Sequence, residues 1–225
     1  MQARWMQRAF LLIGAAALAC ATACAQTDIA GSVYGTFNET TNYDNFTIQS
    51  PANAAGVLLE VRHISKPWLG YEGTYSFNRA NQSYTDIFKC PGPECSYKFN
   101  GSVSANAHEV TVDYVASMKI KLTGFRPFAL AGGGLLRDVP RSSLVSTCDI
   151  FNNTCQSFGG DNRSPTIKPV IVYGGGLDWG FLPHIGLRLQ YRGNLYKAPD
   201  LTNLFTSTGA FTHTAEPMIG IYFRL

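Results

Sequence analysis

The chain has 225 residues, of which 45% are hydrophobic, and this is enough apolar material for a folded core rather than a disordered chain. Its 18 basic and 15 acidic residues give a formal net charge of +3 and are scattered along the sequence, which excludes the basic patch typical of nucleic-acid-binding proteins. Only 15% of the residues are charged, whereas Gly (22), Tyr (11) and Phe (14) are abundant, and this composition favours twisted strands that face lipid.

The first 25 residues have the parts of a secretory signal peptide. Arg4 and Arg8 make its start positive, residues 9–19 form an apolar run, and small residues lead up to Ala25. The apolar run is shorter than the roughly 20 residues that a transmembrane helix needs. We therefore predict a signal peptide at residues 1–25, cleaved after Ala25.

Cleavage at this point leaves one domain, residues 26–225, which carries the folded structure. Processing as a lipoprotein at Cys20 or Cys24 is the alternative. In "ALAC" and "ATAC", however, Ala rather than Leu lies three residues before the cysteine, so ordinary cleavage is favoured.

From Asp28 onward the hydrophobic pattern repeats every second residue, which is the period of β-strands and not that of helices. We predict eight strands, each near or above the 9–11 residues that a tilted strand needs to cross a bilayer. They are residues 29–39, 54–65, 68–79, 105–117, 125–137, 166–179, 184–196 and 212–225.

Each predicted strand has one apolar face and one polar face. In "GVLLEVRHI", Val57, Leu59 and Val61 alternate with Glu60 and Arg62. Two interpretations, one soluble and one membrane-bound, fit this all-β pattern. A soluble sandwich or a lipocalin-like binding barrel buries the apolar face, whereas a membrane barrel turns that face toward lipid and places the charges in its lumen.

The connections between the predicted strands alternate in length. Short turns fall at "SKPW", "MKIKLTG" and "GFLPH", and long loops span residues 40–53, 80–104, 138–165 and 197–211. Short turns at one end and long loops at the other are typical of bacterial outer-membrane barrels, whereas a Greek-key sandwich does not sort its loops. The sequence therefore predicts an all-β fold: an eight-stranded antiparallel up-and-down transmembrane β-barrel with short periplasmic turns and long extracellular loops.

Four cysteines of the mature chain form two close pairs in the long loops. Cys90 and Cys95 are in "CPGPEC", and Cys148 and Cys155 are in "CDIFNNTC". An exported protein would oxidise them, and proximity favours one disulfide within each pair. A zinc site built from all four is the alternative, but neither spacing is the C-x₂-C typical of structural zinc.

The polar faces of the predicted strands carry ten charged residues that we expect to point into the lumen. The interior of an eight-stranded barrel is just wide enough for side chains to fill, and an isolated buried charge is costly. We therefore predict that these charges pair and plug the barrel, and a path for protons or ions is the alternative. The residues are Glu60, Arg62, Glu72, Glu109, Asp113, Asp178, Arg188, Arg192, Glu216 and Arg224.

Motifs for catalysis, metals and cofactors are missing from the sequence. The glycine triplets Gly132–Gly134 and Gly174–Gly176 do not fit G-x-G-x-x-G, and we expect them to make room for bulky lumen side chains. G-x-S-x-G and H-E-x-x-H are absent, and the four histidines are dispersed. The sequence predicts no enzyme, cofactor or metal site. A lipid-modifying barrel enzyme is an alternative that needs a Ser or His cluster on the lipid-facing wall.

Three segments resemble the OmpA-type transmembrane barrel family, the small eight-stranded outer-membrane proteins of Gram-negative bacteria. They are "FRPFALAGGGLL" at residues 125–136, "VIVYGGGLDWGFLPHIGLRLQYRG" at residues 170–193 and "MIGIYFRL" at residues 218–225. The resemblance implies a location in the cell outer membrane, with outer-membrane lipid as a partner. The resemblance marks a barrel rather than an activity, because fold says little about function. We predict a surface-exposed structural role, in adhesion or envelope integrity, and a narrow porin-like channel is the alternative.

The last strand is similar to the signal that the barrel-assembly machinery reads during insertion in this family. Its outward row would be Ile219, Ile221, Phe223 and Leu225, although the usual final residue is aromatic. We expect this strand to pair with the first, around "AGSVYGTFN" at residues 30–38, because that pairing closes the barrel and leaves no free edge.

Overall fold

The computed structural model describes residues 26–43, 47–66, 68–89, 96–118, 120, 124–149, 154–159, 165–201 and 208–225. The predicted signal peptide lies outside these residues. Within them, no helix is long and apolar enough to cross a membrane. The strands are β1 (Gln26–Asn38), β2 (Thr41–Tyr43), β3 (Thr47–Pro51), β4 (Ala54–Lys66), β5 (Leu69–Lys89), β6 (Ser96–Ser117), β7 (Phe125–Asp149), β8 (Thr154–Gly159), β9 (Thr166–Gly180), β10 (Ile185–Lys197) and β11 (Phe211–Arg224).

Eight of these strands form a closed antiparallel barrel. Strands β1, β4, β5, β6, β7, β9, β10 and β11 each pair with their neighbours in chain order. Strand β11 then pairs with β1, from Asp28 opposite Arg224 to Asn38 opposite Thr214. The predicted eight-stranded antiparallel barrel and the predicted pairing of the last strand with the first are both confirmed.

The short connections β4–β5, β6–β7 and β9–β10 lie at one end of the barrel, here called the turn end. The opposite end, here called the loop end, carries the long connections. Three predicted long loops are partly wrong. Strands β2 and β3 lie within residues 40–53, β5 continues to Lys89 and β6 begins at Ser96, and β7 continues to Asp149. Strand β8 adds a further strand to β7.

These extensions were predicted as loops because their sequences carry no continuous apolar row. The segment "NRANQSYTDIFK", from Asn78 to Lys89, contains Asn and Asp, which are depleted in strands generally. The backbone of β5 nevertheless stays in register with β6 from Leu69 opposite Ala116 to Lys89 opposite Ser96. A continuous ladder with β6 therefore overrides the weak strand propensity of this segment.

Side chains alternate between the barrel interior and its outer wall, and the polarity of the two is inverted relative to a soluble protein. The outer wall exposes large apolar side chains at mid-barrel, with Val112 65% exposed and Ile171 61% exposed. Aromatic side chains surround the turn end, among them Trp68, Tyr71 and Trp179. The interior is lined instead by carboxylates, guanidinium groups, hydroxyls and amides. This interior is the candidate site.

Candidate functional site in the barrel lumen

The structure places the predicted charged residues inside the barrel, with one partial exception. Arg224, near the turn end, has a side chain that is 27% exposed. The others are at most 4% exposed. They are Glu60, Arg62, Glu72, Glu109, Asp113, Asp178, Arg188, Arg192 and Glu216.

Two arginines near the turn end form a group of ion pairs, here called the lower network, with Glu60, Glu72 and Asp178. Arg188 donates from Nε to Asp178 Oδ1 at 2.6 Å and from Nη2 to Asp178 Oδ2 at 2.8 Å, and its Nη1 donates to Glu60. Arg62 Nη2 lies 2.7 Å from Glu72 Oε2, and Arg62 Nη1 lies 3.4 Å from Asp178 Oδ2. The network therefore ties β4 and β5 to β9 and β10 across the lumen.

Strand register explains part of the lower network. Arg62 is directly opposite Glu72 in the β4–β5 ladder, and Arg188 is directly opposite Asp178 in the β9–β10 ladder. Oppositely charged side chains that face each other on adjacent strands attract one another. The contacts of Arg62 with Asp178 and of Arg188 with Glu60 cross the lumen instead, and they depend on how the barrel closes.

Phe128 fills the space beside the lower network. The guanidinium carbon of Arg62 lies 4.0 Å from the centre of the Phe128 ring, and that of Arg188 lies 5.5 Å from it. A Cβ atom at Gly176 would lie 2.6 Å from Phe128 Cζ, so this member of the second glycine triplet makes room for the ring. An aromatic face attracts both cations and blocks the lumen at this level.

Two further charged residues below the lower network were missed by the sequence analysis. Asp28 is fully buried and accepts a hydrogen bond from Arg224 Nε at 3.3 Å. Arg126 donates from Nε to Ser117 Oγ at 3.1 Å. In "TDIAGSVYG", Asp28 lies two positions before Ala30 and therefore on the same face, and this was a signal that could have found the first.

Arg192 is the centre of a second group of ion pairs, here called the upper network. It lies 3.3 Å from Asp113 Oδ2 and 3.7 Å from a carboxylate oxygen of both Glu72 and Glu109. It also donates to Thr111 Oγ1 at 2.9 Å. Asn194, two positions along β10, donates to Glu109 Oε2 at 3.0 Å. One arginine thus serves several carboxylates in this half of the lumen.

A small cavity of about 60 Å³ lies between the upper network and the loop end. Glu109, Asp138, Asn194 and Glu216 contribute to its lining. It has room for a few water molecules, which polar walls of this kind retain. Among the described residues, no group of His, Cys, Asp or Glu side chains is arranged to hold a metal ion.

The segment after β10 covers this cavity at the loop end. We call residues 198–201 and 208–210 the cap. Contacts with strands β3 and β5 hold the cap in position. Gln49 Nε2 donates to Pro199 O at 2.6 Å, and the Tyr84 hydroxyl donates to the same oxygen at 3.1 Å. The cap was not predicted, because residues 197–211 lack a strand pattern and its contacts come from residues more than one hundred positions away.

Apolar packing and burial add to the hydrogen bonds of the cap. Leu201 packs with Tyr84, Val103 and Ala105, and the Leu201 amide donates to the Tyr84 hydroxyl at 3.3 Å. Burial raises the pKa of the Tyr84 phenol above its ordinary value. Tyr84 is therefore neutral while the cap is in place at physiological pH.

The histidines lie outside the lumen networks and contact hydroxyl or backbone groups. His63 Nδ1 lies 3.1 Å from Thr27 Oγ1, and His184 Nδ1 lies 3.1 Å from the carbonyl oxygen of Arg224. His108 and His213 on the outer wall each lie 2.9 Å from a tyrosine hydroxyl. These contacts suit aromatic side chains at a membrane interface.

Both predicted disulfides stay predictions. Cys90 and Cys95 lie outside the described residues. The backbone register places Cys148 directly opposite Cys155 in the β7–β8 ladder. Directly opposed residues of antiparallel strands have Cα atoms about 4.5–5.5 Å apart, and this is within the range that a disulfide bridges.

The row predicted to act as the insertion signal faces outward. Each side chain of this row is between 47% and 67% exposed, and the row consists of Ile219, Ile221, Phe223 and Leu225. Their side chains continue the apolar outer wall across β11. Recognition of this row by the assembly machinery is a separate matter and stays a prediction.

No protein-family model matches this chain, and no curated protein matches it. Among solved structures, the chain is similar to Ail, the attachment invasion locus protein of Yersinia pestis, with 16% identity and a TM-score of 0.47 over 89% of this chain and 99% of Ail. It is also similar to Neisserial surface protein A, with 10% identity and a TM-score of 0.43 over 89% of this chain and 99% of that one. The outer membrane protein OprG from Pseudomonas aeruginosa gives 10% identity and a TM-score of 0.44 over 89% and 95%.

Proposed function

We propose that this protein is an outer-membrane β-barrel with a structural, surface-exposed role in adhesion or envelope integrity, and that its lumen is closed. The observation that carries the proposal is the inverted polarity of the barrel. Arg62, Arg188 and Arg192 are at most 1% exposed in the interior, whereas Val112 and Ile171 are more than 60% exposed on the outer wall. A barrel with a polar interior and an apolar outer wall is stable when lipid surrounds it.

A soluble lipocalin-like barrel is not supported by the same observation. Such a barrel binds its ligand in an apolar interior and presents polar side chains to water. Here the interior is occupied by the lower and upper networks, and a large apolar outer wall in water would aggregate.

Closure of the lumen supports a structural role over conduction. Ions moving along the lumen would have to pass the lower network, where two arginines enclose Phe128, and the cap covers the other end. Separating the buried ion pairs to open a path would leave uncompensated charges in a low-dielectric interior.

Fractionation of expressing cells tests the location. We expect the protein in the outer-membrane fraction, with a folded form that migrates differently from the heated form on a denaturing gel. Recovery from the periplasm without detergent, with no heat-dependent shift, would overturn the proposal.

Planar-bilayer recording tests closure. Purified protein inserted into a bilayer should show no discrete conductance steps, because the networks fill the lumen. Regular conductance steps that persist across preparations would favour the narrow channel instead.

A comparison of membrane lipids tests the enzymatic alternative. Mass spectrometry of lipids from cells with and without the protein should give the same species, since we propose no catalytic role. A lipid product that depends on the protein would show that the barrel is an enzyme.

Removal of the projecting hairpin separates the two structural roles. If adhesion is the role, deleting residues 80–104, which include the parts of β5 and β6 beyond the barrel rim, should abolish adhesion to host surfaces, and deleting the whole protein should leave the detergent resistance of the cells unchanged. Loss of detergent resistance on deletion of the whole protein, with adhesion unaffected by either deletion, would assign envelope integrity.

A further inference from the structure

The outer wall changes from apolar to polar at one level on three neighbouring strands. Toward the loop end, Phe77 is followed on the same face of β5 by Arg79, and Leu135 is followed on β7 by Arg137. On β6, between them, His108 lies at this level. In a barrel placed in the membrane as proposed above, this level is the headgroup region of the outer leaflet.

The register brings two arginines and a histidine together at this boundary. His108 is directly opposite Phe77 on β5 and directly opposite Arg137 on β7. Arg79 is directly opposite Asn106, the next outward residue of β6. Adjacent strands lie about 4.8 Å apart, so the two arginines flank His108 within reach of one ligand.

The side-chain contacts of this group orient hydrogen-bond donors outward. Arg79 donates from Nε to Asn106 Oδ1 at 3.1 Å, which orients the guanidinium group through Nε. The Tyr75 hydroxyl lies 2.9 Å from His108 Nδ1, and the Phe77 ring centre lies 5.1 Å from that of His108. When the hydroxyl donates to Nδ1, the ring proton is on Nε2, which becomes a further donor.

The charges of this surface are uncompensated among the residues that the structure describes. Arg79 and Arg137 are exposed, and the outward neighbours toward the loop end are the neutral Asn81, Ser83 and Asn106. Acidic side chains nearby, such as Asp138, point into the lumen instead. The surface therefore attracts an anion.

The wall immediately below the arginines is apolar. Val110 follows His108 on the outward face of β6, and its neighbour Leu135 is directly opposite on β7. Both are more than half exposed. A ligand that pairs with the two arginines and also covers the apolar wall therefore has an anionic head and a hydrocarbon chain.

We propose that Arg79, His108 and Arg137 bind the phosphate group of an anionic lipid in the outer leaflet, with its acyl chain along Val110 and Leu135. Guanidinium groups bind phosphate through two parallel hydrogen bonds, and this geometry suits a headgroup held between two arginines. The proposal rests on the membrane location proposed above and adds a specific lipid contact to it.

Lipid competition in vesicles tests this site. The protein is folded into phosphatidylcholine vesicles that contain a small fraction of spin-labelled phosphatidic acid, and the motionally restricted label is compared with spin-labelled phosphatidylcholine. We expect the wild type to prefer phosphatidic acid several-fold. The double variant Arg79→Gln/Arg137→Gln should lose most of that preference, and the preference should weaken as salt screens the charges.

Matched variants and competitors give the proposal its controls. Lys66→Gln, at the turn end, should keep the wild-type preference, and the heat-dependent gel shift should show that every variant is folded. Equal preference in the wild type and in the double variant would overturn the proposal. Full competition by millimolar inorganic phosphate would also overturn it, because the site would then take free phosphate.

The two proposals fail in different ways. A protein that does not enter vesicles or the outer-membrane fraction contradicts both. A protein that is inserted and folded but shows no preference for phosphatidic acid contradicts only the lipid site.

Discussion

Arg188 is the residue of the lumen whose removal we expect to cost most. It is fully buried and pairs with both Asp178 and Glu60. In Arg188→Met both carboxylates lose one partner and keep only Arg62, at 3.4 Å from Asp178 and 3.1 Å from Glu60. Breaking a buried ion pair in this way costs about 3–5 kcal/mol. The free energy of unfolding, measured by urea titration in lipid vesicles, checks this value.

Arg224→Met is the matched control, because Arg224 is part exposed and pairs with Asp28 at 3.3 Å. Its loss should cost less than the loss of Arg188, because solvent reaches the Arg224 side chain and the buried Asp28 keeps a hydrogen bond from Gln26 Nε2 at 2.9 Å. Equal losses in the two variants would contradict the role of burial in the lower network.

Gly176 is predicted to tolerate no side chain. A Cβ atom there would lie 2.6 Å from Phe128 Cζ and would also crowd the carbonyl oxygen of Leu189. Gly176→Ala should therefore destabilise the barrel by about 1–3 kcal/mol through overpacking. The temperature at which the folded form converts to the unfolded form on a gel measures this change.

Gly73 on β5 offers the opposite case, since a Cβ atom there meets nothing within 4 Å. Gly73→Ala should leave that temperature unchanged or raise it, because Gly is costly in strand interiors. The idea that Gly176 makes room for Phe128 fails if both variants behave alike.

At the scale of residues, the period of two predicts which face each charge occupies but not which partner it meets. Glu60 and Arg62 could be assigned to one face from "GVLLEVRHI", and the alternation of short turns and long loops then placed that face in the interior. The contact of Arg188 with Glu60, 128 positions apart, depends on the stagger of strands around the barrel, which a single sequence does not encode locally. Phe128 was missed because an aromatic residue on a strand suits either face.

At the scale of elements, the cap is expected to respond to alkaline pH through Tyr84. Its pKa is raised by burial from the ordinary value of 10.0, so the unfolded or opened cap releases this proton at a lower pH than the closed cap does. The stability that Tyr84 gives the closed cap is therefore fully present below about pH 10 and declines as pH rises further. Hydrogen exchange at the Leu201 amide should accelerate beyond the intrinsic effect of pH.

Tyr84→Phe is the control for this response. It removes the hydrogen bond to Pro199 and the one from the Leu201 amide, and it should raise the baseline exchange of the cap, at a cost of about 0.5–1.5 kcal/mol for each bond. It should also abolish the additional alkaline opening. Persistence of that opening in Tyr84→Phe would assign it to another group.

The elements also show where prediction from sequence stops. The mid-barrel strands were predicted from the alternation of apolar and polar residues, and the short turns from the brief segments between strands. The structure confirms these strands. The extensions of β5, β6 and β7 rise above the apolar outer wall, so their outward faces are mostly polar and no continuous outer apolar row marks the strands. Their inward faces are buried where the cap packs on Tyr84, Val103 and Ala105, and this contact between distant residues is not visible in local composition.

At the scale of the whole molecule, the proposed bilayer predicts a strong position dependence for an added charge. Val112 is outward on β6 near the middle of the apolar wall and is 65% exposed. Val112→Arg should reduce the free energy of unfolding in vesicles by about 2–4 kcal/mol, because its side chain would enter hydrocarbon. Urea titration of the vesicle-bound protein measures the loss.

Ser83→Arg places the same charge on the outer face of β5 above the boundary, where the residue is exposed. Its effect should stay within about 0.5 kcal/mol, as for ordinary surface substitutions. If Val112→Arg were equally neutral, the outer wall would be in water and the membrane location would be wrong.

The pairing of β1 with β11 determines when the barrel can close. Asp28 and Arg224 are 196 positions apart, so this pairing closes almost the whole described chain into one loop. Bringing such distant residues together costs on the order of 5 kcal/mol of chain entropy, and an unclosed sheet has two free edges that invite aggregation. Closure can therefore occur only after β11 has been synthesised, and in the proposed outer-membrane location this requires that the chain stays unfolded until it reaches the membrane.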